Sequence, residues 1–302
     1  MTTAPGTAAD AASAAPTSTT FLDAITLTPV GDSGSAFEAT PQYVPWPKAF
    51  GGDLVAQAAL SAIRTTGEQS ALHSMHSYFL LPVDVGVPVR YEVENLREGR
   101  SFSTRQVRAF QNGALAFTAL ASFAVEEDGP EFHELAPGGI PTPETLPSSA
   151  QVLDGVDSDA ARYWSSGRSF DMRHVPGPVY LEVEGGTAAH QAVWIRAFDA
   201  LPDDPQVHRA ALAYVCDYTI LEPVLRQQGR AWGDEGLMTA SLDHSLWLHR
   251  FGRMDEWVLY AQQAQSAQNN RGLARGSFFS RDGVLLASVA QEGMIRTRRP
   301  RA

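Results

Sequence analysis

The two halves of this 302-residue chain carry matching motifs in the same order. His76-Ser77 in the first half recurs as His244-Ser245, 168 residues later. The turn dipeptide Asn112-Gly113 recurs as Asp282-Gly283, 170 residues later. Matches at nearly the same spacing indicate an internal duplication, so the fold has to consist of two copies of one unit.

Each copy combines one helical pattern with a series of strand patterns. Apolar side chains at helical spacing predict long helices at residues 51–66 and 208–229. Alternating patterns and turn signals predict strands at residues 21–29, 35–44, 72–80, 87–96, 101–110 and 114–125, and again at 179–185, 190–198, 239–250, 256–265, 272–280 and 284–295. A long helix wrapped by a strongly curved antiparallel sheet is the hotdog layout, and its duplication predicts an α+β double hotdog.

Composition divides the chain into four segments. Residues 1–20 are mostly Ala, Thr, Ser and Pro with almost no large apolar side chain, so we expect a disordered tail. We place the N-terminal hotdog at residues 21–136 and the C-terminal hotdog, which carries the catalytic residues, at 177–302. Residues 137–176 are rich in Pro, Gly and Ser and are interpreted as a linker.

Charge and cysteine content limit the partners and the compartment. The formal net charge of -11 argues against a general affinity for nucleic acid or anionic membranes. Cys216 is the only cysteine, which excludes an intramolecular disulfide and a cysteine-based metal site. No apolar run approaches the roughly 20 residues that span a bilayer. We therefore expect a cytoplasmic protein with no membrane span and no nucleic-acid partner.

A carboxylate interrupts the apolar face of the second predicted helix. At about 3.6 residues per turn, Asp217 shares its face only with apolar or aromatic side chains, namely Ala210, Ala213, Tyr214, Ile220, Leu221 and Val224. A buried carboxylate costs several kcal/mol unless it is hydrogen-bonded or used in catalysis. A helix interior offers it few backbone donors, which favours a functional over a structural role.

Polar residues on two predicted strands could likewise have either a functional or a structural role. Gln291 interrupts an apolar row on the last strand, and its interest lies in pairing with Asp217. His244 lies on the apolar face of its strand and is interpreted as a core histidine, while Ser241 lies on the opposite face with no evident role. The neighbours Asp243, His244 and Ser245 cannot form a hydrolase triad, because successive side chains of a strand point to opposite faces.

A long ordered series of motifs runs through both halves of the chain. The first-half motifs are FGGDLVAQAALSA, HSMHSYFLLP and ENLREGRSFSTRQVRAFQNG. The second-half motifs are VWIRAFDALPDD, LAYVCDYTIL, LDHSLWLHR, EWVLY, ARG and DGVLLASVAQEG. In these motifs the chain resembles the type II acyl-CoA thioesterases, the TesB family of double-hotdog enzymes, and the resemblance covers nearly everything after the tail.

The resemblance implies hydrolysis of acyl-CoA to a free fatty acid and coenzyme A, by a water that Asp217, Ser241 and Gln291 activate. It implies no metal and no cofactor, acyl-CoA as the partner and a homo-oligomeric assembly. The positions taken as equivalent in the first half are Gln57, His73 and Ala121. Because none of these is a carboxylate, we expect one active site per chain.

Two other functions remain open from the sequence. A hotdog-fold 3-hydroxyacyl-CoA dehydratase would use a histidine and a carboxylate, and would make His73 or His76 essential. A non-catalytic acyl-CoA binding protein would bind the ligand without turnover. Release of a free thiol distinguishes the thioesterase from both.

Overall fold

A computed structural model describes residues 15–297. Its helices are α1 (Thr19–Ala24), α2 (Gly51–Ile63), α3 (Ser149–Val152), α4 (Asp159–Arg162), α5 (Pro205–Thr219) and α6 (Glu222–Gln227), with a 3-10 turn at Pro143–Thr145 and a π-helical turn at Tyr163–Gly167. Its strands are β1 (Thr28–Pro29), β2 (Ala36–Ala39), β3 (Ser70–Phe79), β4 (Val89–Arg97), β5 (Phe102–Gln111), β6 (Ala114–Val125), β7 (Phe170–Val175), β8 (His190–Ala197), β9 (Leu237–Ser241), β10 (Asp243–Leu248), β11 (Val258–Gln268), β12 (Arg271–Ser280) and β13 (Leu285–Thr297).

The strands form one 13-stranded antiparallel sheet with two matching halves. The order is β1-β2-β4-β5-β6-β3 and then β10-β13-β12-β11-β8-β7, with β9 paired to the far end of β13. Each strand of the first half has a counterpart at the same distance from the β3–β10 junction, where Met75 lies opposite Leu246. The predicted duplication and the predicted double hotdog are confirmed by this order.

The two long helices pack against each other inside the sheet. Every residue of α2 after Gly51 is buried, and four of its 13 residues are alanines, which allow close approach. A Cβ at Gly52 would lie 2.3 Å from the carbonyl oxygen of Tyr214 on α5, so only glycine fits at this contact. The start of α2 is therefore held against the second half of α5.

Proline divides the second predicted helix. The pattern over residues 208–229 predicts one helix, but α5 ends at Thr219 and α6 begins at Glu222. Pro223 lacks an N–H group, and its ring clashes with the carbonyl four residues earlier, at Thr219. The break places Asp217 in the last turn of α5 rather than in a helix interior.

Two predicted strands and the linker need correction. Residues 21–29 form α1 and the short β1, because Phe21 and Ile25 face the core one helical turn apart. Residues 179–185 form no strand, since Gly185 has a φ of 74° and Arg226 donates to the carbonyl of Glu184. The strand of that repeat is β7, inside the linker predicted at 137–176, and β7 pairs with β8 along its length.

The end of the predicted tail is ordered, which contradicts disorder for its last residues. Ser18 is fully buried, and its hydroxyl donates to the carbonyl of Ser169 at 2.9 Å. Asp199 accepts hydrogen bonds from the Thr17 hydroxyl at 2.7 Å and from the Ser18 N–H at 2.8 Å. Residues 1–14 lie outside the described residues.

Two truncations test this boundary. Deletion of residues 1–14 should leave the melting temperature unchanged. Deletion of residues 1–20 should lower the free energy of unfolding by about 1–3 kcal/mol, because it removes the buried Ser18 and leaves the carbonyl of buried Ser169 without its partner. Denaturant unfolding of both proteins checks this, and equal stability of the two would show that Thr17 and Ser18 contribute nothing.

Candidate functional site

The three side chains expected from the resemblance meet at the end of α5. Gln291 Nε2 on β13 donates to Asp217 Oδ1 at 2.6 Å and to Ser241 Oγ at 2.9 Å. Ser241 Oγ, at the end of β9, donates to Asp217 Oδ1 at 2.9 Å. One carboxylate oxygen therefore accepts two hydrogen bonds, and the residue as a whole is half-buried.

An interruption in a predicted strand makes this arrangement possible. The stretch 239–250 forms two strands, and Leu242 separates them, with its N–H donating to the Glu292 carbonyl at 3.0 Å. An unbroken strand would place Ser241 and His244 on opposite faces. The pairing with β13 shifts by one residue between Ser241, opposite Gly293, and Ser245, opposite Ala290, so that Ser241 and His244 both contact Gln291. The prediction that Ser241 lies on the face opposite to His244 is therefore wrong.

His244 is a member of the site that the sequence pattern missed. Its Nδ1 lies 2.6 Å from Gln291 Oε1, and both hydrogens of the Gln291 amide point to other acceptors. The amide oxygen must accept, so His244 carries its proton on Nδ1. Burial lowers the pKa of His244 below its usual value, which favours the neutral ring. The interpretation of His244 as a core histidine is correct in that the side chain is buried. The ring also orients the Gln291 amide.

The first half does not assemble an equivalent site among the described residues. Ala121 lies opposite Met75, so Met75 occupies the place that His244 has beside Gln291. The match of His76 to His244 is one residue out of register, which turns the side chain to the other face of the sheet. His76 is exposed, and its Nδ1 contacts Ser245 Oγ at 3.1 Å.

The other first-half positions have structural partners. The Gln57 Oε1 accepts a hydrogen bond from the Tyr91 hydroxyl at 2.5 Å, and its Nε2 donates to the Ala24 carbonyl at 2.7 Å. His73 Nε2 contacts Ser122 Oγ at 2.9 Å. Gln57, His73 and Ala121 are therefore not brought together around a carboxylate.

The start of α2 completes the surroundings of Asp217. The backbone N–H of Gly52 favours the charged form of the Asp217 carboxylate and limits the rise of its pKa, and a Cβ at Gly51 would lie 2.5 Å from Asp217 Oδ2. N–H groups in the first turn of a helix have no partner within the helix and attract negative charge. The first half thus contributes a helix N-terminus to a carboxylate of the second half. The only feature of the sequence that could have indicated this contact was the pair of glycines, Gly51 and Gly52, at the start of the first predicted helix.

Two opposing effects set the basicity of Asp217. Burial raises the pKa of Asp217 above its usual value, while hydrogen bonds from Gln291, Ser241 and Gly52 stabilise the charged form and limit the rise. A carboxylate with a raised pKa takes a proton from water more readily than an exposed one. The geometry and the basicity fit a group that activates a water molecule.

Other site types find no support in residues 15–297. That part of the chain contains no group of three or more side chains placed to hold a metal ion. None of its helices combines the length and hydrophobicity needed to cross a membrane.

Comparison with known proteins identifies the family. The sequence profile described as acyl-CoA thioesterase matches residues 165–294, and the profile of the acyl-CoA thioesterase N-terminal domain matches residues 42–124. Acyl-CoA thioesterase 2 of Haemophilus influenzae is 34% identical over 268 residues, which cover 86% of this chain and 92% of that protein. The chain belongs to the acyl-CoA thioesterase family. Human acyl-coenzyme A thioesterase 8 is 33% identical to this thioesterase, with 87% of this chain and 85% of that protein covered.

Solved structures agree with the fold of this acyl-CoA thioesterase family member. Acyl-CoA thioesterase II TesB2 from Mycobacterium marinum superimposes with a TM-score of 0.75 at 33% identity, covering 93% of this chain and 98% of that one. A hot dog fold protein from Alicyclobacillus acidocaldarius gives the same TM-score of 0.75 at 20% identity, over 92% of this chain and 98% of that one. The double hotdog is therefore shared at low sequence identity.

Proposed function

We propose that this thioester hydrolase cleaves acyl-CoA with a water molecule activated by Asp217, Ser241 and Gln291. The observation that carries the proposal is the Gln291 amide, which donates to both Asp217 and Ser241. Of the three side chains, only the Asp217 carboxylate is a base at neutral pH, and the amide and hydroxyl hold it in place. The family assignment supplies the substrate class, because curated relatives are named acyl-CoA thioesterases.

The reaction follows from these positions. Asp217 accepts one proton of the water as its oxygen attacks the thioester carbonyl carbon, and the carbonyl oxygen becomes an oxyanion. The oxyanion then re-forms the carbonyl, the carbon–sulfur bond breaks, and coenzyme A leaves as a thiolate. The proton held by Asp217 passes to that thiolate, which gives a free fatty acid, a free thiol and the starting carboxylate.

The start of α2 is suited to the negative charge that develops. The N–H of Gly52 in its first turn favours a negative charge at Asp217, and fixed donors of this kind stabilise an oxyanion without reorganisation during the reaction. Asp217 Oδ2 lies next to Gly51, so substrate and base would meet at this helix end. The active site would therefore lie between the two halves.

Release of free coenzyme A from a panel of acyl-CoA substrates, measured with a thiol reagent, tests the function. The thioesterase releases thiol in proportion to substrate consumed, whereas a dehydratase or a binding protein releases none. His73 and His76, one of which a dehydratase would require, both contact serines outside the Asp217 site. That placement favours the hydrolase.

We further propose a homo-oligomeric, cytoplasmic enzyme of fatty acid metabolism. Tyr78, Leu120 and Trp247 are exposed on three adjacent strands at the centre of the outer face of the sheet. Exposed apolar side chains in such a cluster are typical of protein contacts. The single cysteine supports a reducing compartment.

Ser241 variants test the hydroxyl in the proposed mechanism. Ser241→Thr should retain most activity because it keeps the same donor and acceptor. Ser241→Ala should lower kcat at least about 10-fold with little change in KM, because the bond to Asp217 is lost. Steady-state rates on one acyl-CoA, with a melting curve for each variant, check this. An alanine variant with full kcat would remove Ser241 from the mechanism.

A further inference from the structure

A second carboxyl group lies beside the proposed catalytic base. Asp53 is the third residue of α2 and is fully buried, two positions after the glycine that abuts Asp217. The charge of Asp217 acts on it across the helix contact. Two ionised carboxylates at one helix end would repel each other, so the protonation of Asp53 matters for the site.

The hydrogen-bond partners of Asp53 are uncharged. In the described part of the chain, Asp53 Oδ2 accepts from the backbone N–H of Gln42 at 3.2 Å, and Oδ1 lies 3.5 Å from Gln42 Nε2. The side-chain oxygen of Gln42 is buried and has no partner there. Turning this amide by half a rotation brings its oxygen to Asp53 Oδ1, where only a protonated carboxyl can donate to it.

The other groups around Asp53 do not compensate a negative charge. A charge on Asp53 raises the pKa of tyrosines on three elements, namely Tyr91 on β4, Tyr163 on the π-helical turn, and Tyr214 and Tyr218 on α5. The buried guanidinium of Arg168 lies over the ring of Tyr218, 4.7 Å from its centroid. Burial and the charge of Asp217 raise the pKa of Asp53 to about 8, against the bonds from Gln42.

We propose that Asp53 is a positioning residue that works only while it is uncharged: paired with Gln42, it fixes the first turn of α2 against Asp217. This inference rests on the proposed function, since it concerns the same site. The N-terminus of a helix carries roughly half a positive charge. An ionised Asp53 would cancel that charge and oppose both the Asp217 carboxylate and the developing oxyanion.

The pH dependence of kcat tests the role. Wild-type kcat should fall above about pH 8 by about tenfold per pH unit, as Asp53 ionises. Asp53→Asn keeps an uncharged partner for Gln42 and should remove this alkaline decline. Asp53→Ser, which also cannot ionise, should remove it too, and Asp23→Asn, at an exposed carboxyl on α1, should keep the wild-type profile. The same alkaline decline in all four proteins would overturn the proposal.

Thermal unfolding between pH 4 and pH 9 tests the protonation independently of activity. Because the pKa of Asp53 is higher in the folded state than its ordinary value of 3.8, its contribution to stability is complete below about pH 4 and is lost as pH rises to about 8. The advantage of Asp53→Asn over wild type should grow with pH, to about 10³-fold in the unfolding equilibrium at pH 7. A variant no more stable than wild type at pH 7 would show that Asp53 is ionised in the folded protein. This result does not depend on thioester hydrolysis, so it separates failure here from failure of the proposed function.

Discussion

Asp217→Asn is expected to lower kcat by about 10²–10⁴-fold, the range for loss of a general base, while the fold is retained. Asparagine has nearly the same shape and can still accept the hydrogen bonds of Ser241 and Gln291 through its oxygen. It cannot take a proton from water at neutral pH. Single-turnover rates on one acyl-CoA measure the loss, and a fully active variant would contradict the proposed mechanism.

The same variant has an expected effect on stability. Since burial raises the pKa of Asp217 in the folded state, its contribution to stability is lost as pH rises through that pKa. Replacement by an uncharged amide should therefore raise the melting temperature at neutral pH as it removes activity. Such a trade-off between function and stability is common at active sites.

Gln57→Ala is the matched control from the first half. It leaves the Tyr91 hydroxyl and the Ala24 carbonyl without their partner, so it should cost about 1–3 kcal/mol of stability. Its kcat per folded molecule should change much less than that of Asp217→Asn. Comparable losses of kcat in both variants would contradict a single site in the second half.

Duplication was the strongest source of information about the fold. It predicted two helices and the matching strand series, because both copies obey the same hydrophobic period. The failures occur where local pattern competes with contacts made elsewhere. Residues 179–185 alternate like a strand, yet the guanidinium of Arg226 holds their backbone as a loop. Residues 21–29 carry apolar side chains that suit either a strand or the helical turn of Phe21 and Ile25.

The site residues that could be predicted from the sequence are those that break the apolar pattern of their own helix or strand. Asp217 and Gln291 are polar residues on apolar faces, and the hydrophobic periodicity of a single helix or strand is enough to reveal them. Ser241 required the family resemblance, because its position depends on the interruption at Leu242. His244 and Asp53 contact residues outside their own elements, and nothing in their own segments indicates those contacts.

Gly51→Ala should lower kcat by about 100-fold although it changes no polar group. The new Cβ would lie 2.5 Å from Asp217 Oδ2 and 3.0 Å from the ring of Phe79. An ordinary contact is longer by about 1 Å, and a displacement of that size can cost about 10²-fold in rate. The carboxylate has to move away from Ser241 and Gln291, which hold it in place for the attacking water.

Stability should respond differently from rate in Gly51→Ala. Alanine favours a helix over glycine by roughly 0.5–1 kcal/mol, which offsets part of the strain, so the melting temperature should change by only a few degrees. Gly67→Ala is the control, because a Cβ at Gly67 meets no atom within 4 Å. Rates and melting curves of both variants decide the matter. If Gly51→Ala keeps the wild-type kcat, the start of α2 does not set the position of the base, and the site does not depend on the contact between the two halves.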